Sequence, residues 1–294
     1  MTALVLGLLL SQDAVSGEAT IRAQAGSSEL VIRTTHRLAG AIDSLRWNGQ
    51  EFINSVDHGR QLQSACNLDC GTPITAETYN PTEAGSRDDG IGPKSSSQLI
   101  RFRAEGAVIE TTSKMAFWLK PGERSGKNFA KNTTVLSEHL LTKRVAIGFR
   151  ELPQVVEYVA TFALPAGETH RHAVFEAVTG YMPPEFSRFL VYDRTTRDSK
   201  PLADGPGEQP QPVIFSTESG SHAMGIYSPE PFPGYGRFRF VPEKVVKWNC
   251  VFRVTNEDGI APGDFRYRMY IPVGTLAEVV ASLGRLHEIF ADPK

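Results

Sequence analysis

AIDSLRWNGQEFINSVDHGRQLQSA, residues 41–65, begins as a strand and then changes character. In AIDSLRW, 41–47, apolar and polar side chains alternate, the period of a β-strand that buries one face. In SVDHGRQLQSA, 55–65, an acid, an imidazole, a glycine, a guanidinium and two amides crowd a segment where a simple turn needs only Asn-Gly. Reading outward in both directions, the strand pattern recurs in QLIRFRA (98–104), VVEYVATFAL (155–164), HRHAVFEAV (170–178), KVVKWNCVFRV (244–254) and FRYRMYIPV (265–273). Gly, Pro, Asn and Asp punctuate these runs. TLAEVVASLGRLHEIF, 275–290, carries a helical stripe instead, with Thr275 and Glu278 at capping-box spacing. The pattern predicts an all-β chain: a large two-sheet antiparallel β-sandwich closed by one C-terminal helix, and a single domain over 19–294.

Composition limits the function classes. With 40% hydrophobic and 22% charged residues and a formal net charge of -2, the chain is globular and projects no broad positive field toward nucleic acid. The N-terminus, MTALVLGLLLSQDAVSGEAT, has an apolar run from Ala3 to Leu10 and a cleavage signature at Ala14-Val15-Ser16. It predicts a signal peptide over 1–18, a mature start near Gly17 or Glu18, and a secreted or periplasmic location. Neither this run nor any later one is long enough for a membrane span, so no membrane insertion of the mature protein is expected. In an oxidising compartment Cys66 and Cys70 are candidates to pair, leaving Cys250 single. There is no P-loop, no G-x-G-x-x-G after a strand and no G-x-S-x-G elbow. Neither a cofactor nor a metal is expected.

The chemistry-bearing residues fall in three clusters. Around the opening stretch, Arg60 offers a planar fork of donors, while Asp57, His58 and Gln63 add acceptors and an amide of the kind that orients sugar hydroxyls. The competing reading is a surface turn held by an Asp57–Arg60 ion pair. In the long segment 71–97, YNPTEAG supplies Tyr79, Asn80 and Glu83, or else a tight turn on Asn80-Pro81. In THRHAVFEAV, alternation puts His170, His172, Val174 and Glu176 on one strand face and Phe175 with Ala173 on the other. That polar face is either a site, where two imidazoles and a carboxylate bind a metal or hold a proton-transfer histidine in one tautomer, or a solvated exterior. Tyr181, just beyond, is an aromatic wall or a phenolic proton carrier. Trp47, Trp118 and Trp248 lie inside strand runs and are expected to pack in the core.

Gly40-Ala41-Ile42, Ser44-Leu45, Gly49-Gln50-Glu51 and Gly59-Arg60 together resemble the opening of aldose 1-epimerases and related galactose mutarotase-like proteins. GIYSPEPFPG, 225–234, is similar to that family's strand-end segment bearing a catalytic glutamate. The resemblance implies a supersandwich, Arg60 as a sugar-binding arginine, Glu230 as general base, and His170 or His172 as the catalytic histidine of a central strand. Gln63 stands where the family has asparagine. The family's His-Gly-Gly segment is missing, replaced by ETYNPTEAGSRDDG at 77–90, which turns the expectation from simple epimerisation toward a relative acting on polysaccharide. Two functions follow as expectations. One is an exported carbohydrate-active enzyme, whether hydrolase, lyase or epimerase, in which Arg60 clamps the sugar and Glu230, His170, His172, Glu83 and Tyr79 share the acid–base work. The other is a non-catalytic glycan-binding or cell-surface module. Both expect Arg60 in one concave pocket with Glu230 or a histidine and with the loop from Tyr79 to Glu83.

Overall fold

A computed structural model of the chain describes residues 15–242 and 244–291. The leader expected over 1–18 falls mostly outside them. Apart from a short ribbon of Arg124–Ser125 with Asn128–Phe129, the strands assemble antiparallel into two layers. In the first, the hairpin Ala19–Ala25 and Ser28–Thr34 leads to Ile42–Trp47, Leu62–Leu68, His172–Met182, Val245–Thr255, Gly234–Phe240 and the short edge strand Gly207–Gln209. In the second, Gln98–Glu105 is followed by Val108–Phe117, Leu136–Phe149, Leu152–Leu164, Gly263–Gly274, Ala223–Gly225, Val213–Ser216, Arg188–Asp193 and Asp198–Pro201. Pro81–Thr82 bridges them, pairing Thr82 with Ala65 on one side and Pro81 with Phe117 on the other. The segment 194–212 supplies two short edge strands, Asp198–Pro201 and Gly207–Gln209.

The period-two reading explains the core. Along Val245–Thr255, Val246, Trp248, Cys250 and Phe252 are buried while Lys247 faces outward. Phe175 of His172–Met182 and Phe162 of Leu152–Leu164 meet at 5.0 Å between ring centroids across the interface between the sheets. Each fully buried side chain of this size contributes about 1.5–3 kcal/mol. The three thiols are free: Cys66 and Cys250 are sealed in the core, and Cys70 lies past the end of its strand. The Cys66–Cys70 bridge is therefore corrected, since Cys66 points between the sheets.

The helix Leu276–Ala291 begins at the expected capping box. The Thr275 amide donates to Glu278 Oε2 at 2.8 Å, and the Glu278 amide returns a bond to Thr275 Oγ1 at 3.3 Å. Val279, Leu283 and Leu286 pack onto Leu190, Ile214, Tyr227 and Tyr270, which cover the outer face of the second sheet. The two outer faces thus differ: the helix occupies one, while the first sheet keeps the other for polar side chains. Among the described residues no helix is long and apolar enough to cross a membrane.

Candidate functional site

On the outer face of the first sheet, Gln63, Ala65 and Asn67 project from Leu62–Leu68, Glu176, Thr179 and Tyr181 from His172–Met182, Lys247 from Val245–Thr255, and Phe238 from Gly234–Phe240. With Glu77, Asn80, Thr82 and Trp118 on the facing wall, they enclose a cavity of about 320 Å³. Strict alternation would not bring Glu176, Thr179 and Tyr181 to the same side. A β-bulge between Glu176 and Thr179 does so, by inserting an extra residue against the neighbouring strands.

The floor of the cavity is a charge network. Glu176 Oε2 accepts from Lys247 Nζ at 3.0 Å, from Thr179 Oγ1 at 2.9 Å and from Asn249 Nδ2 at 3.3 Å. Burial pushes the Glu176 carboxyl up, but the Lys247 ammonium and these hydrogen bonds outweigh it and hold the group below the usual carboxylate range. Burial alone would lower the Lys247 pKa, yet Glu176 raises it above that of an ordinary lysine. Tyr181, paired across the strands with Lys247, has its phenol pushed up by burial and stays neutral. The Lys247 ammonium also lies 5.3 Å from the ring centroids of both Tyr181 and Phe238.

The opening stretch proves to be the frame of this cavity. The Gly59 amide donates to Asp57 Oδ1 at 2.9 Å, and Arg60 Nε lies 3.1 Å from Asp57 Oδ2, so the ion pair of the competing reading forms. Buried His58 faces the carbonyls of Gly90 at 2.8 Å and Arg37 at 3.0 Å. Gln63 donates to the Gly59 carbonyl at 3.0 Å and accepts from the Ala84 amide at 3.1 Å, fastening two loops. A Cβ on Gly59 would sit 2.6 Å from Trp118 Cη2. Only glycine lets the indole rest against this backbone. Trp118 is half-buried on the cavity wall, which corrects its expected place in the core.

The expected gathering of groups does not form. Gln63, Asn80 and Tyr181 line the cavity; Arg60 and Asp57 flank it. Glu83 is sealed between the sheets and ion-paired with buried Lys143, while its Oε2 accepts from the Ser64 amide at 3.0 Å; no sugar reaches it there. His170 precedes the strand rather than lying on it, and its Nε2 is 2.8 Å from Glu168 Oε2 in a buried group with Tyr79. His172 turns outward toward Thr255, at the rim of a larger cavity of about 540 Å³ at the strand ends. That cavity mixes polar residues such as Arg171, Arg253 and Glu257 with an apolar wall of Pro73, Ile74, Val174 and Val254. Glu230 lines a third cavity beside the C-terminal helix, with Tyr227, His287 and Phe290.

Lys247, Trp118, Asn67 and Glu77 escaped sequence reasoning, and Glu176 was read only as part of a polar face. The available signal was Lys247 itself, a charge set between Val246 and Trp248 in an apolar run. Its partner became visible only through strand register and the bulge.

No protein-family model matches the chain, and no curated protein matches it. Among solved structures, the chain is similar to a protein in glycosyl hydrolase family 38 from Enterococcus faecalis, at 12% identity and a TM-score of 0.51, over 94% of this chain and 32% of that one. It is also similar to a galactose mutarotase-like protein from Lactobacillus casei, at 8% identity and a TM-score of 0.43, over 87% of this chain and all of the other, 100%. A GH36 α-galactosidase from Geobacillus stearothermophilus matches at 8% identity and a TM-score of 0.48, over 91% of this chain and 42% of that one. At such identities the likeness is one of fold. The shared feature with the family 38 protein is the large β-sandwich, and the chain spans about a third of that protein.

Proposed function

We propose that the chain is a carbohydrate-active protein that holds a neutral sugar in the cavity on the outer face of its first sheet. The observation that carries this reading is the lining itself: amides from Gln63, Asn67 and Asn80, the half-buried faces of Trp118 and Phe238, and a fixed Glu176–Lys247–Tyr181 network within one cavity of about 320 Å³. Ring faces take the apolar side of a sugar and amides take its hydroxyls. The cavity suits one or two rings. Lys247 is the sole cation among its described lining residues and is committed to Glu176, which favours a neutral glycan over a uronate.

Within this reading, the acid–base work belongs to Glu77, Glu176 and Tyr181 rather than to Glu230, His170 and His172. Glu77 is exposed at the mouth, and Glu176 is held ionised on the floor. Two carboxylates in unlike environments are what glycoside hydrolysis or ring-opening epimerisation uses. A non-catalytic glycan-binding module would use the same cavity; the commitment of Glu176 to three partners favours that second reading. Export is part of the proposal and rests on the leader-like N-terminus. The deciding experiment incubates the purified chain with neutral and uronate glycans, following binding by saturation-transfer NMR and products by reducing-end assay. Binding of a neutral sugar that Trp118→Ala weakens supports the site, and product formation lost in Glu77→Gln supports the enzyme. Binding unaffected by Trp118→Ala and by Asn80→Ala removes the sugar from this cavity.

A further inference from the structure

A second polar cluster lies away from the cavity, where the two sheets meet at the rim. His139 comes from Leu136–Phe149 of the second sheet, while Glu168 and His170 come from the loop that joins Leu152–Leu164 of the second sheet to His172–Met182 of the first. One ligand atom from each of these three residues lies within 4.8 Å of the other two. Glu168 Oε2 is 2.8 Å from His170 Nε2 and 3.2 Å from His139 Nε2.

His139 makes the cluster unusual. Its side chain is fully buried, yet neither ring nitrogen has a hydrogen-bond partner. A buried imidazole without partners loses hydration and gains nothing in return. The 3.2 Å approach to Glu168 has the distance of a hydrogen bond but not its direction. A cation accepting one lone pair from each histidine and one from the carboxylate would give a His139 nitrogen a partner and join all three side chains.

We propose that His139, Glu168 and His170 bind one divalent transition-metal ion of the zinc class, which clips the two sheets together at this rim. Two imidazoles and a carboxylate are a familiar donor set for zinc, with a fourth position left to water. Metal bonds of about 2.0–2.1 Å in tetrahedral array place ligand atoms roughly 3.3 Å apart, close to the two distances from Glu168 to the histidines. The side chain of Glu168 is 24% exposed, which gives the ion and its water a way in. The surroundings support the ligands: Asp69 Oδ1 lies 3.5 Å from His170 Nδ1 and is itself held by the Arg171 amide at 3.1 Å. A ligating histidine commonly passes its other N–H to a carboxylate in this way. The Cys70 amide also approaches His170 Nδ1, at 3.3 Å. Without the ion, Nδ1 accepts from that amide and Nε2 donates to Glu168. When the ion takes the Nε2 lone pair, the ring proton moves to Nδ1 and Asp69 accepts it, so the tautomer changes with no net release of protons from this ring.

The test uses the full chain, stripped with chelator and titrated with zinc or cobalt(II) alone. One equivalent of zinc by elemental analysis, visible bands of four-coordinate cobalt(II), and a melting temperature raised by several degrees are expected. His139→Ala and Glu168→Gln should abolish the cobalt bands, Asp69→Asn should weaken binding about 10- to 100-fold, and His172→Ala should leave both stoichiometry and spectrum unchanged. The wild-type titration does not depend on how the variants fold. A wild-type chain that takes up no stoichiometric ion overturns the proposal, and so does a folded Glu168→Gln chain that binds like wild type.

Discussion

Two of the lysine–glutamate pairs among the described residues have the same chemistry and opposite settings. Lys143 and Glu83 are sealed between the sheets, both with 0% side-chain exposure. Lys247 and Glu176 lie on the outer face, with 13% and 20% exposure, and form the floor of the cavity. In the first pair every partner is structural: the Lys143 ammonium also donates to the Gly40 carbonyl at 2.9 Å, and Glu83 holds the Ser64 amide. Ser64 in turn meets the Tyr158 hydroxyl at 2.9 Å, linking the two sheets through a polar thread. In the second pair the same ions face a space that a ligand can enter. Position relative to the sheet, rather than residue type, separates a fold-holding pair from a ligand-facing one.

The strongest way to break this comparison is to neutralise the sealed pair. Glu83→Gln leaves Lys143 buried without its counter-ion, and the loss expected is about 3–5 kcal/mol in urea unfolding. The double change Glu83→Leu with Lys143→Met should recover most of it, because two apolar side chains leave no charge uncompensated. If Glu83→Gln unfolds like wild type, the sealed pair does not hold the fold. The corresponding change outside, Glu176→Gln, should cost less, about 1–3 kcal/mol, since water reaches the lysine it leaves behind.

The sealed pair also shows what the sequence disclosed. In LLTKRVAIGF, alternation sets Lys143 on the same face as Leu141 and Val145, and all three are buried. The anomaly was readable, but not its partner, because Glu83 reaches it from a loop 60 residues earlier. The sandwich was legible for the opposite reason: alternation and a capping box are local patterns, and local patterns survive into the fold. The cavity needed three nonlocal facts, namely the register of Tyr181 against Lys247, the bulge after Glu176, and the passage of Trp118 over Gly59. Histidines 170 and 172, two residues apart, were expected on one face. The strand begins only at His172, so His170 turns inward to Glu168 while His172 turns out.

Removing the aromatic wall sharpens the claim that the outer pair faces a ligand. Trp118→Ala should raise the dissociation constant of a bound neutral sugar about tenfold, measured by calorimetry, and should leave the effect of Glu83→Gln on unfolding unchanged. Gly59→Ala should have the same sign with a smaller size, since the added methyl displaces the indole instead of deleting it.

A pH series separates the two pairs further. Glu176 is held below its ordinary value of 4.5, burial opposing and Lys247 prevailing. A carboxylate with a lowered folded pKa contributes stability that is fully present above the unfolded value and is lost as pH falls through the folded one. The stability gap between wild type and Glu176→Gln should therefore be widest near neutrality and should narrow below pH 4.5. A gap that stays constant down to acid pH would mean that Lys247 and Glu176 are not coupled.

The smallest effect expected is at Arg60, where the sequence reading had placed the sugar clamp. Its Nε is spent on Asp57 at 3.1 Å, the side chain is 21% exposed, and the cavity is lined by its neighbour Gly59 instead. Lysine keeps the charge and can still pair with Asp57, while losing the planar fork. If the fork serves only this partly exposed pair, Arg60→Lys should change sugar affinity by less than about threefold and stability by under about 1 kcal/mol. Both are measurable on one sample by calorimetry with thermal unfolding. A tenfold loss of affinity with an unchanged melting temperature would restore the clamp, and would place the sugar across Gly59 toward Arg60 rather than over Glu176 and Lys247.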